Sequence, residues 1–207
     1  MKFRIAHLFL SVKLSLVVLV LVINGYSEAY SQTFFKLNHY NTIYKGNVSP
    51  VVSQFCSSPI NSRLSFADYF YVNGSKSGSW GQALIGLTYG INKNIRLGLL
   101  AGIQSNSPEL GRVSPIILIN KDRFSFFGGF EYGSKRVRWD AIALYKVGNF
   151  KVGAELIRYF KMYATGPRVE VSFIKKQPVS LFYSGMWDFV YGNPASMVGI
   201  HTTFGGK

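Results

Sequence analysis

Ser184, Asp188 and His201 supply the residue types of a nucleophile, an orienting acid and a general base late in the chain. Acyl transfer needs the three within hydrogen-bond reach of one another. Extended segments deny them that. Asp188 falls near one end of its segment and His201 near the opposite end of the next, and at ~3.3 Å per residue the gap is too wide. Ser180 comes nearer to His201, but no acid orients that pair. A second arrangement invites metal or acid–base work. If Ser134-Lys135-Arg136-Val137 joins two strands, Glu131 faces Asp140 and Gly133 faces Arg138. Across Gly148-Asn149 the same counting sets Lys146 opposite Lys151. Like charges directly opposite each other are destabilising, so these groups need partners from other strands. No histidine stands at ligand spacing, and neither a metal nor a cofactor is expected. The simplest reading is a network in which Arg96 and Arg168 serve Glu131, Asp140, Glu155, Glu170 and Asp188, with Lys146 and Lys151 beside them. Gly166-Pro167-Arg168-Val169-Glu170 reads as a turn entering a strand, with Arg168 and Glu170 pointing the same way as a pair. Phosphate-cradling glycine loops and Cys/His metal sets are absent.

These residues depend on strands for their placement. From about residue 63, segments of alternating polarity are separated by turn residues: 63–72, 80–91, 95–104, 112–119, 123–133, 138–147, 150–160, 166–174, 179–190 and 196–204. Asn92-Lys93-Asn94, Asn120-Lys121-Asp122, Gly148-Asn149 and Lys175-Lys176-Gln177-Pro178 are tight-turn chemistry. The other connections, such as NGSKSGS and SNSPELG, are richer in Gly, Ser and Pro. Short turns at one end and longer loops at the other is the pattern of a transmembrane barrel.

One face of these segments is apolar. It carries Ile85, Leu87, Tyr89, Leu97, Leu99, Phe126, Phe130, Trp139, Val152, Val169, Leu181 and Trp187. The other carries Gly86, Gly90, Arg96, Gly98, Gly102, Glu131, Asp140, Glu155 and Glu170. Alternation alone does not say which face meets water. Glycine weakens a strand and gives a solvent face nothing, whereas a narrow lumen needs small residues beside long charged ones. Tyr89, Tyr132, Trp139, Tyr145, Trp187 and Phe189 fall near segment ends, as interfacial aromatics do. The expectation is therefore an all-β antiparallel transmembrane barrel of about ten strands over 63–207, with its apolar face in lipid. Residues 32–62 hold aromatics without clean alternation and read first as an irregular extension or a plug, with two poorly marked strands as a further alternative that the sequence leaves open.

Composition agrees. Aromatics make up 16% of the chain and charged residues only 15%, against about 25% charged in ordinary soluble domains. The start, MKFRIAHLFLSVK, is basic, Leu14–Ile23 is a ten-residue run that is apolar but for Ser15, and small residues precede Gln32. That order is a cleavable secretory signal over 1–31, because a run of about ten residues covers only half of a ~30 Å hydrocarbon core. Cleavage removes Lys2, Arg4, Lys13 and Glu28 and leaves 20 basic residues against 8 acidic ones. So basic an exported chain suits anionic partners rather than nucleic acid. The single Cys56 allows no internal disulfide.

The signal, the alternating strands and the last segment Val198-Gly199-Ile200-His201-Thr202-Thr203-Phe204 resemble small bacterial outer-membrane β-barrel proteins. The resemblance implies an integral place in the outer membrane and a final strand, ending on aromatic Phe204, that the assembly machinery reads. Gly205-Gly206-Lys207 depart from the pattern, in which the aromatic is last. It also implies contact with membrane lipids, and Lys135, Arg136, Arg138, Arg158 and Lys161 are candidates for lipopolysaccharide phosphates. The leading expectation for function is a non-enzymatic envelope role: structural, lipid-contacting or surface-binding. A narrow, porin-like solute or ion channel and a membrane-embedded lipid-modifying enzyme are the alternatives.

Overall fold

The computed structural model describes residues 34–75, 78–105, 110–133, 136–159, 162–172 and 179–204. The signal segment 1–31 lies outside them. The strands are β1 (Phe34–Tyr44), β2 (Asn47–Pro59), β3 (Leu64–Ser75), β4 (Gly78–Gly90), β5 (Ile95–Gln104), β6 (Gly111–Lys121), β7 (Phe124–Gly133), β8 (Arg136–Val147), β9 (Phe150–Tyr159), β10 (Met162–Val171), β11 (Val179–Asp188) and β12 (Asn193–Phe204). Each pairs antiparallel with its sequence neighbours, and β1 pairs with β12 to close the barrel. The closing seam runs from Phe35 opposite Phe204 to Tyr44 opposite Ala195.

Ten strands coincide with the alternating segments. The barrel nevertheless has twelve, because residues 34–59 form β1 and β2 instead of an extension or plug. Their alternation is hidden by chemistry. Inward Tyr40 and Phe55 are apolar, while outward His39, Asn41, Gln54 and Ser58 are polar, so neither face reads as a stripe. The hairpin between them is marked by Lys45-Gly46, both left-handed at φ 50° and 71°, as a two-residue primed turn requires. β10 begins at Met162, four residues before the segment expected from 166.

The expected difference between the two ends is also absent. The rim that holds the start of β1 and the end of β12 is called the lower rim below. Connections at the upper rim run from two residues (45–46) to six (105–110), and those at the lower rim from two (148–149) to seven (172–178).

The faces separate as the alternation predicts. Ile85 is 59% exposed and Leu99 59% on the outside, whereas their neighbours Leu84 and Leu100 are buried inside. Outward Trp139, Tyr163 and Phe189 touch in sequence, with ring centroids 5.6 and 6.0 Å apart, forming an aromatic row below the upper rim. At the opposite rim Arg63 donates to the Tyr89 hydroxyl at 3.2 Å. The inward glycines do more than leave room for long side chains. A Cβ on Gly102 would strike the backbone carbonyl of Ala83, and one on Gly153 that of Ala143. The neighbouring strand bends over these positions, which no other residue permits.

Two outcomes follow. Leu99→Arg places a charge in the apolar band and should destabilise the barrel by ~2–4 kcal/mol, read as loss of the heat-shifted mobility of folded barrels on gels. Gly153→Ala should lower the melting temperature by an amount equivalent to about 1–3 kcal/mol. Gly111→Ala, which meets open space, should leave it unchanged.

Candidate functional site

The lumen has three levels. The central one is built around Arg168, which is 4% exposed. Its Nη1 donates to Glu155 Oε2 at 2.8 Å, and its Nε to Glu170 Oε1 at 2.9 Å. The guanidinium carbon lies 4.0 Å from the Phe182 ring centroid. Ser184 donates its hydroxyl to Glu155. Glu170 Oε2 also lies 3.5 Å from His201 Nε2 and 3.8 Å from Lys151 Nζ. Register produces this assembly. Arg168 faces Gly153 on β9 and Ser184 on β11, two small residues that let the guanidinium lie flat between carboxylates. Glu170 faces Lys151 directly. Removing such charges from water costs several kcal/mol per ion, and only a fully bonded set offsets it. The planar arginine fork does so here for two acids at once.

The upper level is a bridge across the barrel. Trp80 on β4 stacks on Tyr159 of β9 at 5.4 Å and 12°, and those strands stand five apart in the closed ring. Tyr71 of β3 packs on Trp80 at 4.7 Å, and the Arg138 guanidinium from β8 lies 4.6 Å from the Tyr71 ring centroid. Such cation–π contacts gain strength when desolvated. Arg138 Nη1 makes no hydrogen bond and lies 4.0 Å from Glu131 Oε1. The amide of Gln82, two residues from Trp80 on the same face, is buried without a hydrogen-bond partner among the described residues.

The lower level is a cavity of about 980 Å³ at the rim where β1 begins, lined by Arg63, Lys93, Arg96, Asn92, Asn94 and Asn120 among others. No acid lines it. Apolar side chains fill the remaining wall between levels: Phe55, Ala67, Leu84, Leu100 and Ile116 on one side, Phe182, Met186 and Met197 on the other.

Several expected placements change. The β7–β8 connection is two residues, 134–135, not four. Glu131 therefore faces Arg138, Gly133 faces Arg136, and Asp140 faces Gly129. The anticipated carboxylate pair is instead an acid opposite a base. Lys146 does face Lys151, but Lys151 turns to Glu170 on its other side. Arg96 does not serve the lumen acids. It donates to Ser65 and to Thr88 Oγ1, the latter at 3.1 Å, beside the lower cavity. Asp188 is fully buried, accepts from the Tyr44 hydroxyl at 2.5 Å and from the Val190 amide at 2.9 Å, and ties β11 to β1 at the upper rim. It forms no ion pair among the described residues. Arg138, expected among lipid-facing loop cations, points into the lumen. Arg158 does face outward, opposite Trp139 and Tyr163 of the aromatic row. Lys135 and Lys161 lie outside the described residues, as does the Arg136 side chain.

Ser184, Asp188 and His201 go to separate partners, namely Glu155, Tyr44 and Glu170, so no nucleophile–base–acid relay forms. Among the described residues no three His, Cys, Asp or Glu gather to hold a metal. Sequence reasoning missed Tyr71, Trp80 and Tyr159. The signal was there: each aromatic stands on the small-or-polar face of its own segment, where a lumen has no need of one.

No family model matches the chain, and no curated protein matches it. Solved structures do. The chain is similar to the KdgM porin, at 12% identity over 82% of this chain and 99% of that one, with a TM-score of 0.60. The same values hold for the KdgM porin in complex with disordered oligogalacturonate. The NanC porin is similar at 10% identity over 80% of this chain and 98% of that one, with a TM-score of 0.54. The fold is thus that of small outer-membrane porins, a closed antiparallel barrel.

Arg168→Met leaves Glu155 and Glu170 buried without their shared cation. It should cost about 3 kcal/mol, measured as a lower thermal midpoint of the folded barrel in detergent. Replacing both acids as well, with Glu155→Gln and Glu170→Gln, should restore most of the loss.

Proposed function

We propose that this chain is a narrow outer-membrane channel for small anionic solutes, exported with a cleaved signal. This reading takes the place of the structural or surface-binding envelope role as the leading one. The observation that carries it is the lower cavity, a mouth lined by Arg63, Lys93 and Arg96 and, among the described residues, by no acid. Within the lumen, Lys36, Arg96, Arg112, Arg138, Lys146, Lys151 and Arg168 outnumber Glu131, Asp140, Glu155, Glu170 and Asp188. A low-dielectric wall lined by one excess sign raises the local concentration of the opposite ion. Rings of cationic side chains are how anion pores select.

The levels divide the work. The lower mouth collects anions. The Arg168 assembly spends its charge on Glu155 and Glu170 and braces the wall. At the upper level the Trp80–Tyr159 stack narrows the passage, and Arg138 Nη1 and the Gln82 amide offer hydrogen bonds beside an aromatic plane. An aromatic face with a cation and an amide suits an acidic sugar, and the ligand named with the KdgM porin, oligogalacturonate, is of that class. Passage requires the stack to move aside, so conductance is small.

Planar-bilayer recording tests this. Under a salt gradient the reversal potential should show anion preference, and Arg96→Glu should shift it toward cations. Trp80→Ala should raise single-channel conductance several-fold. A bilayer that stays silent with the folded protein and with Trp80→Ala would return the chain to the structural role.

A further inference from the structure

The outward face of β1, β2 and β3 differs from the rest of the wall. From β4 to β11, outward charge among the described side chains is confined to the rims, as at Lys121 and Arg158. On β3 the outward series is Phe66, Asp68, Phe70. Asp68 is the one carboxylate among the described strand residues that points away from the lumen, since Ala67 and Tyr71 on the alternate face are buried. Phe66 is 41% exposed and Phe70 42% on either side of it, and Ile85, 59% exposed, is its register partner on β4. An aspartate side chain is too short to reach past these neighbours to either interface. The carboxylate therefore stands within the apolar band, where hydrocarbon gives it nothing to bond and charge is expensive.

Among the described residues its own barrel supplies only neutral donors. Gln54 Nε2 reaches Asp68 Oδ1 at 3.3 Å, and the Cys56 thiol bonds the same carboxylate. An ionised carboxylate has about four acceptor sites, so this one remains under-satisfied. Beyond Gln54 the face continues polar. Its partner on β1 is Leu37, and the next outward residues on that strand are His39, exposed, and Asn41.

We propose that the outward face of β1–β3 is an interface with a second copy of this chain inside the membrane. The argument is complementarity of the face with itself. Acceptor Asp68 lies on β3 and donors His39 and Asn41 on β1, with β2 between them. A two-fold axis normal to the membrane in front of β2 sets β1 of each copy against β3 of the other. That arrangement brings His39 of each copy to Asp68 of the other, twice, as an isologous contact requires, with Asn41 nearer the rim. Flanking Val48, Pro50 and Val52 supply the apolar part of the contact. The inference rests on the barrel standing in lipid, as proposed above, but not on its conducting.

Disulfide trapping in the membranes of cells expressing the full chain tests it. In a Cys56→Ser background, Gln54→Cys should yield an oxidised dimer at twice the chain mass. Val152→Cys, on β9 five strands from β2 in the ring, should stay monomeric. Adding Asp68→Leu to the Gln54→Cys chain should lower the dimer fraction about tenfold and leave the heat-shifted gel mobility intact. Equal trapping at 54 and 152, an adduct of another mass, or a dimer fraction unmoved by Asp68→Leu would each overturn the interface. A chain that shifts with heat but never cross-links refutes the interface alone. One that neither shifts nor cross-links refutes the membrane reading with it.

Discussion

Closure governs this molecule. A backbone that crosses hydrocarbon must bond every N–H and C=O to another strand, because lipid offers no partner. An open sheet of the ten alternating segments would leave two bare edges. β1 and β2 remove them: β2 pairs with β3, β1 with β2, and β12 with β1. Once the ring is shut, side chains have only two destinations. One face meets lipid, and the other meets the lumen. The chemistry of the chain is sorted by that single division.

The lumen of so small a barrel cannot be a water-filled tube lined by free charges. Leu84, Leu100, Phe182 and Met186 occupy much of it as packed apolar wall. The charges that remain are then close together and poorly hydrated, so they must be matched. Arg168 satisfies two acids through one planar group, and the small residues Gly153 and Ser184 make that geometry possible. The same economy leaves a surplus of cations at the lower mouth, where water returns and pairing is no longer needed. In the proposed channel, selectivity arises from what structural pairing leaves over. The arginine that looks most motif-like in the sequence supports the wall, and the plain Arg96 lines the open cavity.

How far the sequence discloses this depends on local chemistry. Lys146 opposite Lys151 is legible because Gly148-Asn149 is a turn whose length has one reading. Arg168 with Glu170 is legible because two-residue spacing in a strand means a shared face. The Glu131–Arg138 contact is not, because Ser134-Lys135-Arg136-Val137 looks like loop while Arg136 and Val137 are strand. Two residues of error in a hairpin turn an acid–base contact into an acid–acid one. β1 and β2 are only poorly marked, for a different reason. Strand recognition rests on an apolar outer face, and theirs is polar at His39, Asn41 and Gln54. The apolar lumen residues escaped because alternation was counted from its better-marked face.

The central claim is that the apolar face meets lipid and the charged face does not. Spin-label accessibility along β5 measures it directly. Labels placed singly at Leu97, Leu99, Ala101 and Ile103, and at Leu100 and Gln104, in a Cys56→Ser chain reconstituted into bilayers, report contact with lipid-dissolved oxygen. Collisions should be frequent at the four outward positions and rare at the two inward ones, a period of two along the strand. Frequent collision at 100 and 104, or no alternation at all, would contradict the account.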